Sequence, residues 1–147
     1  MSQVSVHDGG AYLLILRLDR DRRTRVASLG QVDFPRGNYV YAGSALRALS
    51  SRVERHFRLE KRLHWHVDHL RACARPMGAL ILRGREDMEC LLNEMVSHME
   101  GAEPHAPGFG CSDCSCDTHL HFVDAATLVN LKHFIPELWV PSRQYGI

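Results

Sequence analysis

Two tyrosines, an arginine and a histidine are spaced in a way that suits chemistry on phosphate groups. Arg52 and His56 are four residues apart, so on a helix their side chains would share one face. Histidine and tyrosine can move protons, and a guanidinium can bind two phosphate oxygens at once. A glycine at the end of a strand, such as Gly43, would let a ligand approach the backbone closely. We therefore predict one catalytic site formed by Tyr12, Tyr41, Gly43, Arg52 and His56.

A second group of reactive side chains crowds into residues 111–121. Thiolate and imidazole groups are ligands that suit tetrahedral Zn²⁺, although the run lacks the distant second pair of a strong zinc signature. Two interpretations stay open. In one, Zn²⁺ is bound by Cys111, Cys114, Cys116 and His119. In the other, the cysteines are reduced and packed in a loop, and Asp113 and His119 turn toward the active site.

Hydrophobic periodicity predicts that short strands alternating with helices must position these residues. The expected strands cover residues 11–18, 26–29, 39–42 and 77–82, with an edge strand at 119–123. The expected helices cover residues 46–59, 65–74 and 86–100, and residues 103–110 form a loop. We expect these strands and helices to form an α+β fold around one central sheet. We expect a single domain over residues 1–147, with a core at about 10–123 and an irregular packed tail at 124–147.

The overall charge is nearly balanced, with 18 Lys and Arg against 17 Asp and Glu. Together with 45% hydrophobic residues, this balance excludes a disordered tail and a bulk nucleic-acid coat protein. Basic residues nevertheless concentrate in residues 17–25 and 47–71, whereas acidic residues concentrate in residues 86–103. The neutral total is therefore compatible with one positive face for a phosphate backbone.

The first residues lack the basic and apolar regions of a secretory signal. No apolar stretch approaches the roughly 18 residues of a membrane span. The five cysteines, three of them crowded together, fit a reducing compartment better than a disulfide framework. We expect a cytoplasmic protein with no membrane partner.

Three motifs, in their order along the chain, resemble those of a known nuclease superfamily. They are Gly10-Ala11-Tyr12, Tyr41-Ala42-Gly43-Ser44 and a helical segment at residues 52–57. The chain resembles the GIY-YIG nucleases, whose name records the two tyrosine motifs. It is more closely similar to a branch of stand-alone bacterial and archaeal domains with no assigned function. That resemblance spans about residues 10–122 and includes Trp65-His66-Val67-Asp68 and residues 108–114.

The resemblance implies both a fold and a reaction. The fold would be a small antiparallel sheet flanked by helices, and the reaction would be phosphodiester cleavage with one Mg²⁺ or Mn²⁺. Tyr12 and Tyr41 would line the site, and one of them would help to activate the attacking water. Arg52 would hold the scissile phosphate and stabilise the charge of the transition state. His56 would assist proton transfer or contact the phosphate.

The resemblance also implies that a glutamate on the third helix binds the metal, because Mg²⁺ and Mn²⁺ suit oxygen ligands. Glu86, Glu89 and Glu94 all lie on the expected helix. We select Glu89 as the ligand and Glu94 as the second choice, because Glu89 borders the apolar face that packs inward. Contacts with nucleic acid, DNA in the first instance, are expected at five further residues: Ser44, Arg47, Arg55, Trp65 and His66.

Two features depart from the superfamily pattern. Ala11 replaces the usual isoleucine, and the segment between Tyr12 and Tyr41 is longer than in typical members. The added residues, about 20–36, form either an extra strand pair or a substrate loop. Three hypotheses for the function follow: a repair-type endonuclease, a nucleic-acid-binding module with the same fold and little turnover, and a thiol- and zinc-based regulatory domain.

Overall fold

The computed structural model describes residues 8–84, 86–111, 114–134 and 138–146. These residues form an α+β fold, as the sequence predicts. The elements are, in chain order, β1 (Gly10–Leu18), β2 (Arg22–Arg25), β3 (Gln31–Phe34), β4 (Gly37–Ala45), α1 (Leu49–Phe57), α2 (His66–Arg71), β5 (Arg75–Arg83), α3 (Glu89–Ser97), β6 (Ala102–Pro104), β7 (Leu120–Val123), α4 (Ala125–Phe134) and β8 (Trp139–Pro141). A six-stranded antiparallel sheet has the spatial order β6-β7-β4-β1-β5-β8.

Helices cover both faces of this sheet. Alternate residues of the central strand β1 point to opposite faces, because side chains along a strand have a period of two. Tyr12, Leu14 and Leu16 are buried on the face that carries α1 and α2. Leu13 and Ile15 are buried on the other face, together with apolar side chains of α3 and α4. The continuous apolar run at residues 11–16 is explained by this burial on both sides.

The long segment between Tyr12 and Tyr41 contains an extra strand pair, which was one of the two alternatives drawn from the sequence. Strands β2 and β3 pair antiparallel and are joined by a short 3-10 turn at Ala27–Leu29. The expected strand at residues 26–29 is therefore wrong. Val26 is apolar because it is buried in the core, and Ala27 takes a left-handed backbone conformation (φ 44°) that ends the extended chain. The hairpin leaves the sheet at the end of β1 away from Tyr12.

The C-terminal part of the chain is more regular than the sequence suggests. Residues 125–134 form α4, and β8 adds a sixth strand to the sheet, whereas an irregular tail was expected at 124–147. Leu131 of α4 is fully buried, which explains how a helix of low overall amphipathicity is held. Pro141 ends an edge strand, a position where a missing backbone N–H is tolerated.

Strand β7 is not at the edge of the sheet, contrary to expectation. It lies between β4 and the short strand β6, and two of the three residues of β6 fall within the segment expected to be loop. β6 ends in Pro104, which again suits an edge. Sequence pattern alone did not reveal β6, because three mostly exposed residues carry no hydrophobic alternation.

Helices α1 and α3 begin later than the sequence predicts. Helix α1 begins at Leu49, where the carboxylate of Asp8 accepts a hydrogen bond from the backbone N–H of Ser50 at 3.3 Å. Helix α3 begins at Glu89, after a 3-10 turn at Glu86–Met88. Its first turn therefore carries Glu89 and Cys90. None of the helices within the described part of the chain has the length and apolar character needed to cross a bilayer.

Candidate active site

A cavity of about 390 Å³ opens at the end of the sheet where β1 begins and β4 ends. Both central strands, α1, the start of α3 and the loops before α2 and β7 contribute to it. The residues that line it are Tyr12, Tyr41, Ser44, Arg52, Trp65, Asp87, Glu89, Cys90, Gly110 and Cys114. The fold thus brings three of the predicted catalytic side chains and the preferred glutamate to one cavity, although they come from four separate elements.

The other two predicted catalytic residues, His56 and Gly43, lie behind Tyr12 and hold its phenol in place. The hydroxyl of Tyr12 and Nε2 of His56 are 2.7 Å apart in a buried hydrogen bond. Gly43 faces Tyr12 across the paired strands, and a Cβ at position 43 would come within 2.5 Å of the phenol's Cζ and hydroxyl oxygen. His56 is only 1% exposed and is not part of the cavity lining, so it acts on the cavity through Tyr12.

Burial governs the protonation states of these groups. Burial, followed by the nearby Tyr41, raises the pKa of Tyr12 well above its usual value, against the opposing effect of Arg52. Burial and then Glu89 likewise raise the pKa of Tyr41. Burial lowers the pKa of His56 to about 3, and Lys61 acts in the same direction. At neutral pH both phenols are therefore protonated and the imidazole is uncharged.

The surroundings of His56 also decide the direction of its hydrogen bond to Tyr12. Nδ1 of His56 is buried and has no hydrogen-bond partner among the described residues. A neutral imidazole carries a single N–H, and an unpaired buried N–H is rarer in proteins than an unpaired acceptor. We therefore assign the proton to Nε2, which donates to the hydroxyl oxygen of Tyr12. The O–H of Tyr12 is then left to donate into the cavity.

Arg52 brings a permanent positive charge to the wall of the cavity. Its Nη1 donates a hydrogen bond to the backbone carbonyl of Ser44 at 2.6 Å. Its guanidinium carbon lies 4.7 Å from the ring centroid of Trp65, in a cation–π contact. These contacts fix the side chain, yet a guanidinium has five N–H donors, so others remain for an anionic ligand.

Glu89 faces the cavity, whereas Glu94 does not. The carboxylate of Glu89 accepts a hydrogen bond from the hydroxyl of Ser44 at 3.1 Å and lies 3.6 Å from Nδ1 of His119. Glu94 is 67% exposed and pairs with a histidine one turn later at 3.7 Å. The first-choice ligand thus lies in the cavity, and its oxygens have acceptor capacity left for a cation. Asp87, for which the sequence predicts no role, adds a second carboxylate to the lining.

Of the five residues expected to contact nucleic acid, Ser44 and Trp65 line the cavity. Arg47 is exposed on the turn before α1 and is not part of the lining. Arg55 is engaged within the protein: its two terminal nitrogens donate to the carboxylate of the buried Asp68 at 3.0 and 3.1 Å. That pairing assigns the Arg55 guanidinium to the junction between α1 and α2.

His66, the last of the five, holds a loop of the cavity wall. Its Nδ1 accepts a hydrogen bond from the backbone N–H of Gly110 at 2.9 Å. Gly110 has a left-handed backbone conformation (φ 73°), and a Cβ there would come within 2.9 Å of the ring of Tyr41. The structure therefore gives His66 a contact that fixes this loop against Tyr41.

Beside the cavity, four side chains form a cluster that could bind a metal such as Zn²⁺. Within the described ranges, the ligand atoms of this Cys/His cluster all lie within 4.8 Å of one another: Cys90, Cys114, Cys116 and His119. Cys111 was expected in this set and is not part of it, because Cys90 of α3 takes its place. Burial, followed by the thiols of Cys116 and Cys114, raises the pKa of Cys90 to about 12.

Sequence reasoning missed Cys90 because it lies far from the other cysteines along the chain. The available signal was a cysteine next to Glu89, the glutamate already selected as a ligand. It also missed Gly110, whose signal was the Gly-Phe-Gly sequence at residues 108–110. Asp113, which one interpretation turned toward the active site, lies outside the described residues.

Residues 11–139 match the protein family described as Domain of unknown function DUF123. No curated protein and no solved structure matches the chain. Because the match covers most of its length, the chain belongs to this family. Membership of an uncharacterised family agrees with the resemblance of the sequence to a branch of domains with no assigned function. The relation to the GIY-YIG nucleases stays a prediction.

Proposed function

We propose that this member of the DUF123 family is a metal-dependent endonuclease that hydrolyses phosphodiester bonds in nucleic acid, DNA in the first instance. The observation that carries the proposal is the meeting of Tyr12, Tyr41, Arg52 and Glu89 in one cavity. The resemblance of the sequence motifs to GIY-YIG nucleases supports the same conclusion. It also points to substrates of the kind that DNA repair enzymes cut.

Each group has a task in this reaction. The guanidinium of Arg52 binds the scissile phosphate and stabilises the negative charge that grows on its oxygens. Tyr12, held by His56, and Tyr41 orient the attacking water and the phosphate by hydrogen bonds from their hydroxyls. Because its pKa is lowered to about 3, His56 does not itself accept the water's proton at neutral pH.

Glu89 would hold one Mg²⁺ or Mn²⁺, since its carboxylate faces the cavity and such ions prefer oxygen ligands. When bound, that ion would supply the positive charge that polarises the phosphate and lowers the pKa of water, so that the attacking water gives its proton to bulk solvent and the leaving oxygen takes one from bulk solvent. Asp87 offers a second oxygen donor in the same lining. The Cys/His cluster next to these carboxylates suits Zn²⁺ better than Mg²⁺ or Mn²⁺. We therefore assign Zn²⁺ to the Cys/His cluster and Mg²⁺ or Mn²⁺ to the carboxylates.

The proposal is tested by incubating branched, single-stranded and duplex DNA with the protein and Mg²⁺ or Mn²⁺. We expect nicking by the wild type, and a loss of about 10²-fold or more in Arg52→Ala and Tyr12→Phe, with folding unchanged. Arg58→Ala is the matched control, because this exposed arginine ends the same helix outside the cavity. If both site variants cut at the wild-type rate, the assignment of the site is overturned.

A nucleic-acid-binding module with little turnover is the second candidate. The observation that favours it is the strong burial of Tyr12, which raises the phenol's pKa and makes the phenolate a costly base. This candidate predicts binding of DNA that weakens in Arg52→Ala, with no cleavage under any metal condition. The nuclease predicts cleavage that depends on Glu89, so Glu89→Gln separates the two.

A further inference from the structure

The Cys/His cluster has the dimensions of a four-coordinate metal site. Around a tetrahedral Zn²⁺ a sulfur ligand and an imidazole nitrogen are about 3.6 Å apart, given the usual Zn–S and Zn–N bond lengths. Nε2 of His119 lies 3.1 Å from Sγ of Cys114 and 3.9 Å from Sγ of Cys90, on either side of that value. Cys116 completes the group within 4.8 Å. The ligands therefore need only small side-chain adjustments to surround one ion.

His119 is prepared for this role by its second ring nitrogen. Nδ1 lies 3.1 Å from the backbone carbonyl of Ala42, to which it donates. That bond keeps the proton on Nδ1, so the lone pair of Nε2 faces the thiols. A metal-binding histidine almost always donates its other N–H in this way, to a carbonyl or a carboxylate. The side chain is fully buried, which further restricts its rotation.

The ligand set selects the metal. Three sulfur ligands and one imidazole suit Zn²⁺, whereas Mg²⁺ and Mn²⁺ prefer oxygen. A closed set of four protein ligands is typical of structural zinc sites, since catalytic ones keep a position open for water. We infer that Cys90, Cys114, Cys116 and His119 bind one structural Zn²⁺ ion, with Cys90 and not Cys111 as the fourth ligand.

The zinc centre shares a wall with the candidate active site. Cys90 directly follows Glu89 in the first turn of α3, and Nδ1 of His119 lies 3.6 Å from the carboxylate of Glu89. One turn along the helix, the amide of Asn93 donates to the backbone carbonyl of Thr118 at 2.7 Å. Zinc would thus tie the start of α3 to residues 114–119 and fix the position of Glu89.

The proposed effect of zinc on Glu89 rests on the proposed function, because it treats Glu89 as the ligand of the catalytic ion. We expect the zinc-free protein to bind Mn²⁺ at Glu89 at least about tenfold more weakly, as is usual when the outer partners of a metal ligand are lost. The zinc centre itself does not depend on nuclease activity. The two statements therefore need separate measurements.

The first measurement is the zinc content of protein purified without added metal. We expect about one equivalent in the wild type and in Cys111→Ser, and a loss of zinc in Cys90→Ser. Cys111→Ser is the matched control, because this neighbouring thiol lies outside the cluster. Less than about a tenth of an equivalent in the wild type, also after refolding with Zn²⁺, would overturn the zinc centre. Loss of zinc in Cys111→Ser with retention in Cys90→Ser would overturn the ligand set.

A second measurement covers the case in which Cys90→Ser fails to fold. Wild-type protein loaded with Co²⁺ in place of zinc should show the visible absorption and thiolate charge-transfer bands of a tetrahedral sulfur-rich site. An octahedral spectrum without thiolate bands would overturn the assignment.

The coupling is tested by following free Mn²⁺ by electron paramagnetic resonance in zinc-loaded and zinc-stripped wild type, with circular dichroism to confirm folding. Glu89→Gln should abolish Mn²⁺ binding and keep its zinc. Equal Mn²⁺ affinity in the two folded forms would overturn the coupling. Absence of Mn²⁺ binding in the zinc-loaded wild type would overturn the proposed catalytic metal, and the coupling with it, while the zinc centre stands.

Discussion

At the scale of single residues, the register between β1 and β4 decides where the phenol of Tyr12 lies. Tyr12 is paired with Gly43, whose missing side chain is the space that the phenol occupies. His56 then fixes the hydroxyl from the other side through the 2.7 Å hydrogen bond. The hydroxyl at the cavity is thus set by one glycine and one histidine that themselves do not line it.

Gly43→Ala should displace the phenol of Tyr12 and remove most of the proposed activity. The added methyl would overlap the ring, which typically costs about 1–3 kcal/mol of stability in a packed core. A displacement of about 1 Å at a reacting group can cost about 10²-fold in rate. We would measure the nicking rate and the free energy of unfolding of the same preparation.

The control for this variant is Gly30→Ala. Gly30 has a positive φ (77°) but open space around its Cβ position, and it lies in the hairpin turn and not in the cavity lining. Its replacement should cost about 1–3 kcal/mol of stability through the backbone alone, because φ 77° with ψ −152° is a conformation that only glycine adopts readily, and cleavage should be unchanged. Equal activity in the two variants would contradict the fit between Gly43 and Tyr12.

The buried imidazole of His56 should make the protein less stable in mild acid. Burial lowers the pKa of His56 to about 3 in the folded state, whereas an unfolded histidine titrates near pH 6.5. Between these two pKa values the unfolded chain binds a proton at His56, whereas the folded chain does not. The contribution of the uncharged imidazole to the free energy of unfolding is therefore complete above about pH 6.5. It falls by up to about 1.4 kcal/mol per pH unit as the pH decreases.

His56→Gln should remove this contribution to the pH dependence, because its amide can still donate to Tyr12 and does not titrate. Urea unfolding of the wild type and the variant between about pH 4 and 7.5 measures the difference in slope. Parallel curves would show that the imidazole takes up its proton over the same pH range in the folded and the unfolded chain, and would contradict the lowered pKa.

The sequence predicts the residues of the cavity better than those of the metal cluster. Tyr12, Tyr41 and Arg52 were found because their spacing follows a known order of motifs. The predicted zinc ligands omitted Cys90 and wrongly included Cys111, because they were chosen as residues close together along the chain. Residues that are distant in sequence can be close in space. The packing of α3 against β4 and β7 brings the thiol of Cys90 to residues 114–119.

At the scale of elements, helix α1 carries two arginines with different tasks. Arg52 points to the cavity, while Arg55, almost one turn later, is held by Asp68 of α2. Asp68 is fully buried and also accepts the backbone N–H groups of His64 and Trp65 at 2.8 and 2.9 Å. Burial alone would raise its pKa, but Arg55 and these N–H groups lower it. The carboxylate thereby caps α2 and joins the two helices.

Arg55→Ala should therefore destabilise the protein. Its effect on the proposed chemistry should be smaller than that of Arg52→Ala, because Arg55 reaches the cavity wall only through its contact with the ring of Trp65 at 4.6 Å. Removing one partner of a buried ion pair typically costs about 3–5 kcal/mol, and Lys61, 3.8 Å from Asp68, should reduce that cost. Denaturant unfolding measures the loss, and the folded fraction should keep most of its nicking rate. Arg55→Ala combined with Asp68→Asn should cost less than the sum of the single variants. Strict additivity would argue against the pairing.

The elements themselves were predictable where burial was two-sided or periodic. Strands β1, β4 and β5 and helices α1 and α3 follow from apolar patterning. Strands β2 and β3 were expected only as one alternative to a substrate loop, because a hairpin rich in exposed arginines lacks an apolar alternation. Helix α4 and β8 were obscured by Pro136 and Pro141, which suggested irregular structure.

At the scale of the whole molecule, an almost neutral chain carries an arginine-rich hairpin at some distance from the cavity. Arg22, Arg23 and Arg25 of β2 are exposed. The hairpin leaves the sheet after Leu18, about 20 Å along β1 from Tyr12 at the usual rise of an antiparallel strand. A nucleic acid in the cavity could therefore also contact the hairpin.

Replacing Arg22, Arg23 and Arg25 by glutamine should weaken the binding of long DNA and reduce its salt dependence. Each phosphate contact contributes about −0.9 to the slope of log affinity against log salt, so the slope should become shallower by about 2–3. Binding titrations at several salt concentrations measure this change. The lysine triple variant keeps the charge and should keep the slope; an unchanged slope in the glutamine variant would exclude the hairpin from the interface.

In the sheet, strand β4 lies between β1, which precedes it along the chain, and β7, which follows it by some eighty residues. Ala42 and His119 exchange a backbone and a side-chain hydrogen bond across that interval, at 3.0 and 3.1 Å. Contacts between such distant residues form late and slow the folding of a chain. During synthesis, one side of β4 stays unpaired until β7 leaves the ribosome, and an unpaired apolar strand readily joins a neighbouring chain. Chains that end before residue 119 should therefore associate through β4 and lack a finished cavity.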